Sequence, residues 1–205
     1  MAENTTQDFL QFSQIKDGIV ILKNKGLRKI LMVSSLNFAL KSEEEQESIL
    51  YQFQDFLNSL DFSCQIIVQS RRLNITGYLD KLNEIRIKEK NELLKTQVEE
   101  YKNFISEIIG GGNVMQKNFY VVVPFAPLEA KGGKGLKGFQ LTKDVFQRAK
   151  TQLLQRTEFV ILGLKRCGLQ AAPLENAEIA ELFWALHHTK EAEEGYYPDL
   201  PPEFA

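Results

Sequence analysis

Apolar and polar positions change period several times along this chain, and each change marks an element. Residues 19–22 (IVIL) and 30–33 (ILMV) are short β-prone runs. Asn24, Lys25 and Gly26 between them have the chemistry of a tight hairpin loop, with Gly26 expected to supply the positive φ. From residue 43 the period lengthens to that of a helix. Ser42 and Glu45 make a capping-box pair at its start, and Ile49, Phe53, Phe56, Leu57 and Leu60 form one apolar stripe. "FSCQIIVQS", residues 62–70, returns to strand character, with Gln65 and Gln69 on a face expected to be partly open to water.

Residues 76–109 then read as one very long helix, stopped by Gly110, Gly111 and Gly112. Unbroken, it would span about 50 Å at 1.5 Å per residue. Its middle, 84–92, is nearly all charged apart from Ile85 and Ile87, which fits either a solvated stretch between two packed ends or a protruding arm that meets a partner. "KNFYVVVPF" is the most apolar strand and is expected at the centre of the sheet. A second long helix over 142–166 aligns Phe146, Ala149, Leu153, Val160 and Leu164. A short strand, "LQAAPL", and a last helix, "NAEIAELFWALHH", lead to a tail rich in proline and aromatics.

These elements predict an α+β fold. Its mixed sheet would hold the antiparallel opening hairpin and parallel neighbours joined through β-α-β units, with helices mainly on one face and one very long helix. The expected organisation is a flexible N-terminus over 1–14, one domain over 15–194 and a tail over 195–205.

Composition narrows the function classes. The chain has 205 residues, enough for one well-filled core, and a formal net charge of -2. Duplex binding normally draws on a basic surplus, which is missing here. Cys64 and Cys167 lie far apart and outside any C-x-x-C pair, as expected of two reduced thiols in a cytoplasmic protein. No stretch reaches the roughly 18 apolar residues of a spanning helix.

The loop "KGGKGLKGFQ" contains G-x-G-x-x-G from Gly133, and Gly133 and Gly138 have P-loop spacing. A P-loop would continue with Lys and Ser or Thr, to reach the outer phosphates and ligate magnesium, but Phe139 and Gln140 stand there. The dinucleotide reading needs the glycines directly after a strand, and Pro124 and Pro127 intervene. His187 and His188 are adjacent on a helix, so they point about 100° apart and do not chelate as an i, i+4 pair. No catalytic residue, cofactor or metal site is expected, and the chain is read as a non-enzyme. Two other readings remain: a small nucleotide-binding protein using the loop between Gly133 and Gly138, and a single-stranded DNA accessory protein using Arg71, Arg72 and the loop lysines.

"LNFALKSEEEQ", "FLNSLDF", "SRRLNITGYL" and "FYVVVPF", in that order, resemble the N-terminal domain of the TraC-like conjugation ATPases of type IV secretion systems. The likeness runs over roughly 15–198, and Tyr196, Tyr197 and Pro198 stand where that domain gives way to the motor. Nothing within these 205 residues matches the Walker A loop or Walker B strand of the family's motor domain, so no catalytic residue carries over. The resemblance implies a cytoplasmic module, peripheral at the inner face of the membrane, that docks a separate motor ATPase to inner-membrane secretion components and takes part in DNA transfer. Self-association is a further expected contact, and nucleic acid is not an expected partner. The candidate interaction residues are Arg71 and Arg72 at a strand end, and Tyr196, Tyr197, Leu200 and Phe204 in the tail.

Overall fold

In the computed structural model, residues 10–73, 75–111, 114–126 and 142–193 are described. The strands are β1 (Phe12–Lys16), β2 (Ile19–Leu22), β3 (Leu27–Val33), β4 (Gln65–Arg72), β5 (Met115–Phe125) and β6 (Ala171–Pro173). The helices are α1 (Glu43–Asn58), α2 (Thr76–Lys88), α3 (Glu92–Gly111), α4 (Lys143–Arg166), α5 (Asn176–His187) and α6 (Thr189–Glu193). The α+β class holds. The described residues form two compact units, one within 10–68, 118–126 and 142–180, the other within 69–73, 75–111, 114–117 and 181–193. β4 passes out of the first unit after Val68, and β5 re-enters it at Asn118.

The sheet is antiparallel, in the order β1-β2-β3-β5-β4, with β6 also on β3. This corrects the expected mixed sheet with parallel neighbours. The two strand-helix-strand segments, β3-α1-β4 and β5-α4-β6, do not place their strands side by side. β5 lies between β3 and β4 and pairs with β3 from Leu27↔Phe125 to Val33↔Phe119. β2 and β6 share the other edge of β3, β2 at Leu27 and Arg28 and β6 at residues 31–33. The result is a split β-α-β arrangement, with the most apolar strand, β5, inside the sheet as its composition requires.

Local chemistry sets the turns. Asp17 and Gly18 both have positive φ, the requirement of a two-residue hairpin turn, and join β1 to β2. β1 is absent from the elements read from the sequence because its segment FSQIK has little apolar alternation. In the β2–β3 turn the left-handed residue is Lys25 and not Gly26. Gly26 donates its N–H to Asn24 Oδ1 at 2.9 Å, and a Cβ there would crowd that same oxygen. Its lack of a side chain serves a close approach, which corrects the expected conformational role.

The core of the first unit lies between one sheet face and helices α1 and α4. Leu27, Leu31, Val33, Val121 and Val123, which alternate along β3 and β5, meet Phe56 of α1 and Leu153, Val160 and Leu164 of α4. Both helical stripes read from the sequence contribute to it. α1 starts on the expected capping box, in which Ser42 Oγ accepts from Glu45 N–H and the Glu45 carboxylate accepts from Ser42 N–H. That backbone hydrogen bond leads the causes holding the Glu45 pKa below its ordinary value. α4 contains Gly163, where a Cβ would run into the Phe56 ring, so α1 packs directly on the α4 backbone.

The second unit overturns the single long helix. Residues 89–91 break it: Glu89 is extended, its Oε1 accepts from the N–H groups of Lys90 and Asn91, and Asn91 Oδ1 accepts from Leu93 N–H. Asn91 thereby caps the start of α3, and the Glu89 carboxylate holds the N–H groups of the turn before it. α2 and α3 therefore form a helical hairpin. It is held by the Arg86–Glu99 ion pair at 3.1 Å and by Lys102 Nζ donating to Asn83 Oδ1 at 3.0 Å.

Candidate functional site

Each unit presents an apolar surface. In the first, a groove of about 350 Å³ runs beside α1. Ile49, Leu50 and Phe53 form its α1 wall, Phe119 and Val121 of β5 its floor, and Ile66 of β4 its outer side. The β3–α1 connection closes one end with Leu36 and Phe38, and Cys167 and Leu169 close another. A polar rim adjoins it, with Lys41, Glu44, Ser48, Gln52 and Arg166. An apolar trough with a charged border is the form of a protein-binding surface.

The thiols do not add reactivity. Burial pushes the pKa of Cys167 up, and burial also raises that of Cys64 against the opposing charge of Arg156. Both are therefore kept as thiols, the less nucleophilic form. Arg156 is itself occupied, lying over the rings of Phe62 and Phe125 at 4.7 and 5.1 Å while Nη1 donates to Pro124 O.

In the second unit, α3 has two apolar faces. Val98, Ile105 and Ile109 are half-buried, whereas Leu94, Tyr101, Phe104 and Ile108 are 44%, 45%, 56% and 48% exposed. These four follow alternating steps of three and four residues, with Gln97 filling the remaining place, so they make one exposed stripe beside the half-buried face of the helix. Glu100 and Glu107 flank it. Tyr78 of α2 donates its hydroxyl hydrogen to Tyr101 Oη at 3.2 Å, which raises the Tyr78 pKa and fixes both rings at the stripe.

The residues singled out from the sequence fare differently. Arg71 is half-buried, and its Nη2 donates to Ala192 O at 3.3 Å; Arg72 is exposed. Successive strand residues point to opposite faces, so the two do not form one basic patch. Tyr196, Tyr197, Leu200 and Phe204 lie outside the described residues, as does the loop between Gly133 and Gly138. His187 and His188 are spent locally, with Nδ1 atoms on Phe183 O and Trp184 O, and His188 stacks on Trp184. Neither the groove nor the α3 stripe was anticipated. The three-and-four spacing from Leu94 to Ile108 was the available signal, hidden because Val98, Ile105 and Ile109 already supplied a packing face.

Residues 12–186 fit the family model described as the archaeal TraC-like domain. No curated protein matches the chain. Among the described residues no helix is long and apolar enough to cross a membrane.

Proposed function

Because the chain belongs to the archaeal TraC-like domain family, a membership that ties it to conjugation and secretion, we propose that it is a non-catalytic interaction module that docks a separate TraC-like motor ATPase to the membrane components of such an apparatus. It works in the cytoplasm, peripheral to the membrane. The observation that carries this reading is the exposed stripe of Leu94, Tyr101, Phe104 and Ile108 on α3. Four large apolar side chains held in water at helical spacing suit a helix or groove on a partner, and aromatic anchors commonly dominate such contacts. Glu100 and Glu107 along the flank favour a partner surface bearing Lys or Arg. The tail, with Tyr196, Tyr197, Leu200 and Phe204, supplies a second set of anchors.

The test is capture of the cognate motor protein by the immobilised chain. Phe104→Asp with Ile108→Asp removes two exposed anchors without touching the core or the Tyr78–Tyr101 bond, so capture is expected to weaken at least about tenfold with the unfolding transition unchanged. Undiminished capture by the double variant would remove the stripe from the function. Tail truncation belongs after Glu193, because Ala192 is buried and its carbonyl holds Arg71.

A further inference from the structure

The α2–α3 hairpin carries a second line of exposed apolar residues. Tyr78 and Ile85 stand seven residues apart on α2, 45% and 53% exposed, and so share one face of that helix. The bond from the Tyr78 hydroxyl to Tyr101 joins this line to the α3 stripe, so both lie on one side of the hairpin. Between them runs a trough, with Tyr78 and Ile85 along one wall and Leu94, Tyr101, Phe104 and Ile108 along the other.

Its two borders carry opposite charge. On α3, Glu100 and Glu107 are exposed on the side of the stripe away from the half-buried Val98 and Ile105. On α2, Lys81 and Lys88 are exposed on the side of the Tyr78–Ile85 line away from the buried Leu82. Lys88 reaches Glu84 of its own helix at 3.8 Å with its side chain still 79% exposed, so its charge stays at the surface.

On the reading that this chain docks a motor ATPase, on which this inference rests, we propose that one amphipathic helix of the motor fills the trough as a third helix beside α2 and α3. It bears Lys or Arg on the edge over α3 and Asp or Glu on the edge over α2. The period identifies a helix. Tyr78 and Ile85, Leu94 and Tyr101 and Ile108, and Gln97 and Phe104 all recur at seven residues, the repeat that seats the side chains of one helix between those of its neighbours. A strand, with its period of two, cannot follow it. Gln97 sets the register, because its amide interrupts the apolar stripe and calls for a polar residue opposite. The borders set the direction. A helix with one basic and one acidic flank meets opposite charges in one orientation and like charges in the other, whereas a uniformly cationic surface would be drawn to Glu100 and Glu107 but repelled by Lys81 and Lys88. Leu94 to Ile108 spans about 21 Å, so the docked helix needs roughly 14–18 residues.

Fluorescence anisotropy with synthetic helices tests this on the full chain. The probes are peptides of three heptads with Leu at the core positions and one Gln among them. One carries Lys on one flank and Glu on the other, a second Lys on both, a third Glu on both; each is labelled and held at nanomolar concentration, below its own self-association. The mixed peptide is expected to bind with a Kd on the order of 10 μM, at least about tenfold tighter than the other two, and to be lost with Phe104→Asp and Ile108→Asp. Lys81→Glu with Lys88→Glu changes exposed side chains only and should pass the preference to the peptide with Lys on both flanks. The same variant should weaken motor capture at least about tenfold; tighter capture would mean a merely cationic partner surface and overturn the proposal. Equal binding of the three peptides overturns it as well. Motor capture through the stripe with no peptide bound shows that the docked element is not a helix, and leaves the docking function standing. Mixed-flank binding without motor capture does the reverse, upholding the trough as a helix site and removing the motor as its owner. A dimer in sedimentation equilibrium that Phe104→Asp with Ile108→Asp dissociates gives the trough to a second copy and overturns the proposal.

Discussion

At the scale of single residues, Lys29 is the most constrained charge in the chain. It is only 4% exposed, and its ammonium donates to Leu174 O at 2.9 Å. Gly18 comes so close that a Cβ there would strike the Lys29 Nζ and the Leu174 carbonyl, and its φ of +65° is itself a glycine conformation. Burial dominates the electrostatics and lowers the Lys29 pKa below 10.5, against the attraction of Glu175. The sign of the pH effect follows. Below the folded-state pKa both states carry the proton, and the folded state bears the full cost of the buried charge. Between that pKa and 10.5 the unfolded chain binds more protons, so stability rises with pH. The buried thiols act oppositely, since their raised pKa values make the unfolded state lose protons first above 9.0. The comparison is therefore with Lys29→Met. The stability of wild type minus that of Lys29→Met, from urea titrations between pH 7 and 10.5, is expected to increase; a flat difference would mean that the ammonium is well solvated.

At the scale of elements, the α1–α4 contact turns on Gly163. Glycine inside a helix costs about 1 kcal/mol relative to alanine, so Gly163→Ala would stabilise an isolated α4. In the folded protein the new methyl meets the Phe56 ring, and overpacking of this kind costs about 1–3 kcal/mol. A net loss of up to about 2 kcal/mol is expected in urea unfolding. Adding Phe56→Leu should return part of it, with a coupling of about 1 kcal/mol; strict additivity of the two changes would refute direct contact. Such elements were largely legible in the sequence. The stripes of α1 and α4 and the Ser42–Glu45 box depend on local spacing, which the chain states outright. The break at 89–91 was not read, because helix periodicity continues across it and side-chain bonds of Glu89 and Asn91 decide the matter. Strand neighbours were misread for another reason: adjacency in sequence favours β3 beside β4, while only the register of seven pairs with β5 reveals the insertion. The interaction surfaces were the least legible. A second apolar face on α3 looks like core until packing shows what is left uncovered.

At the scale of the whole molecule, the helical hairpin is an insertion between neighbouring strands. Leu73 N–H donates to Val114 O at 2.9 Å, so the ends of the inserted segment meet. Among the described residues, no member of the core cluster of the first unit lies within 69–117. Replacing residues 73–114 by Asn-Gly, a two-residue turn, is expected to leave one cooperative urea transition, with an m value reduced in keeping with the smaller surface exposed. A broad, non-cooperative transition would show that the core cluster needs the hairpin. The long-range ties of the first unit have a consequence for the order of its assembly during translation. Gly18 N–H donates to Asn176 Oδ1 across 158 residues of sequence, and Lys29 reaches Leu174 across 145. At about 5–20 residues per second, roughly 8–30 s separate synthesis of the first turn from that of its partner. The opening hairpin therefore leaves the ribosome well before the segment that secures it, and its apolar face must wait, uncovered or in the care of a chaperone, until residues 174–176 have emerged.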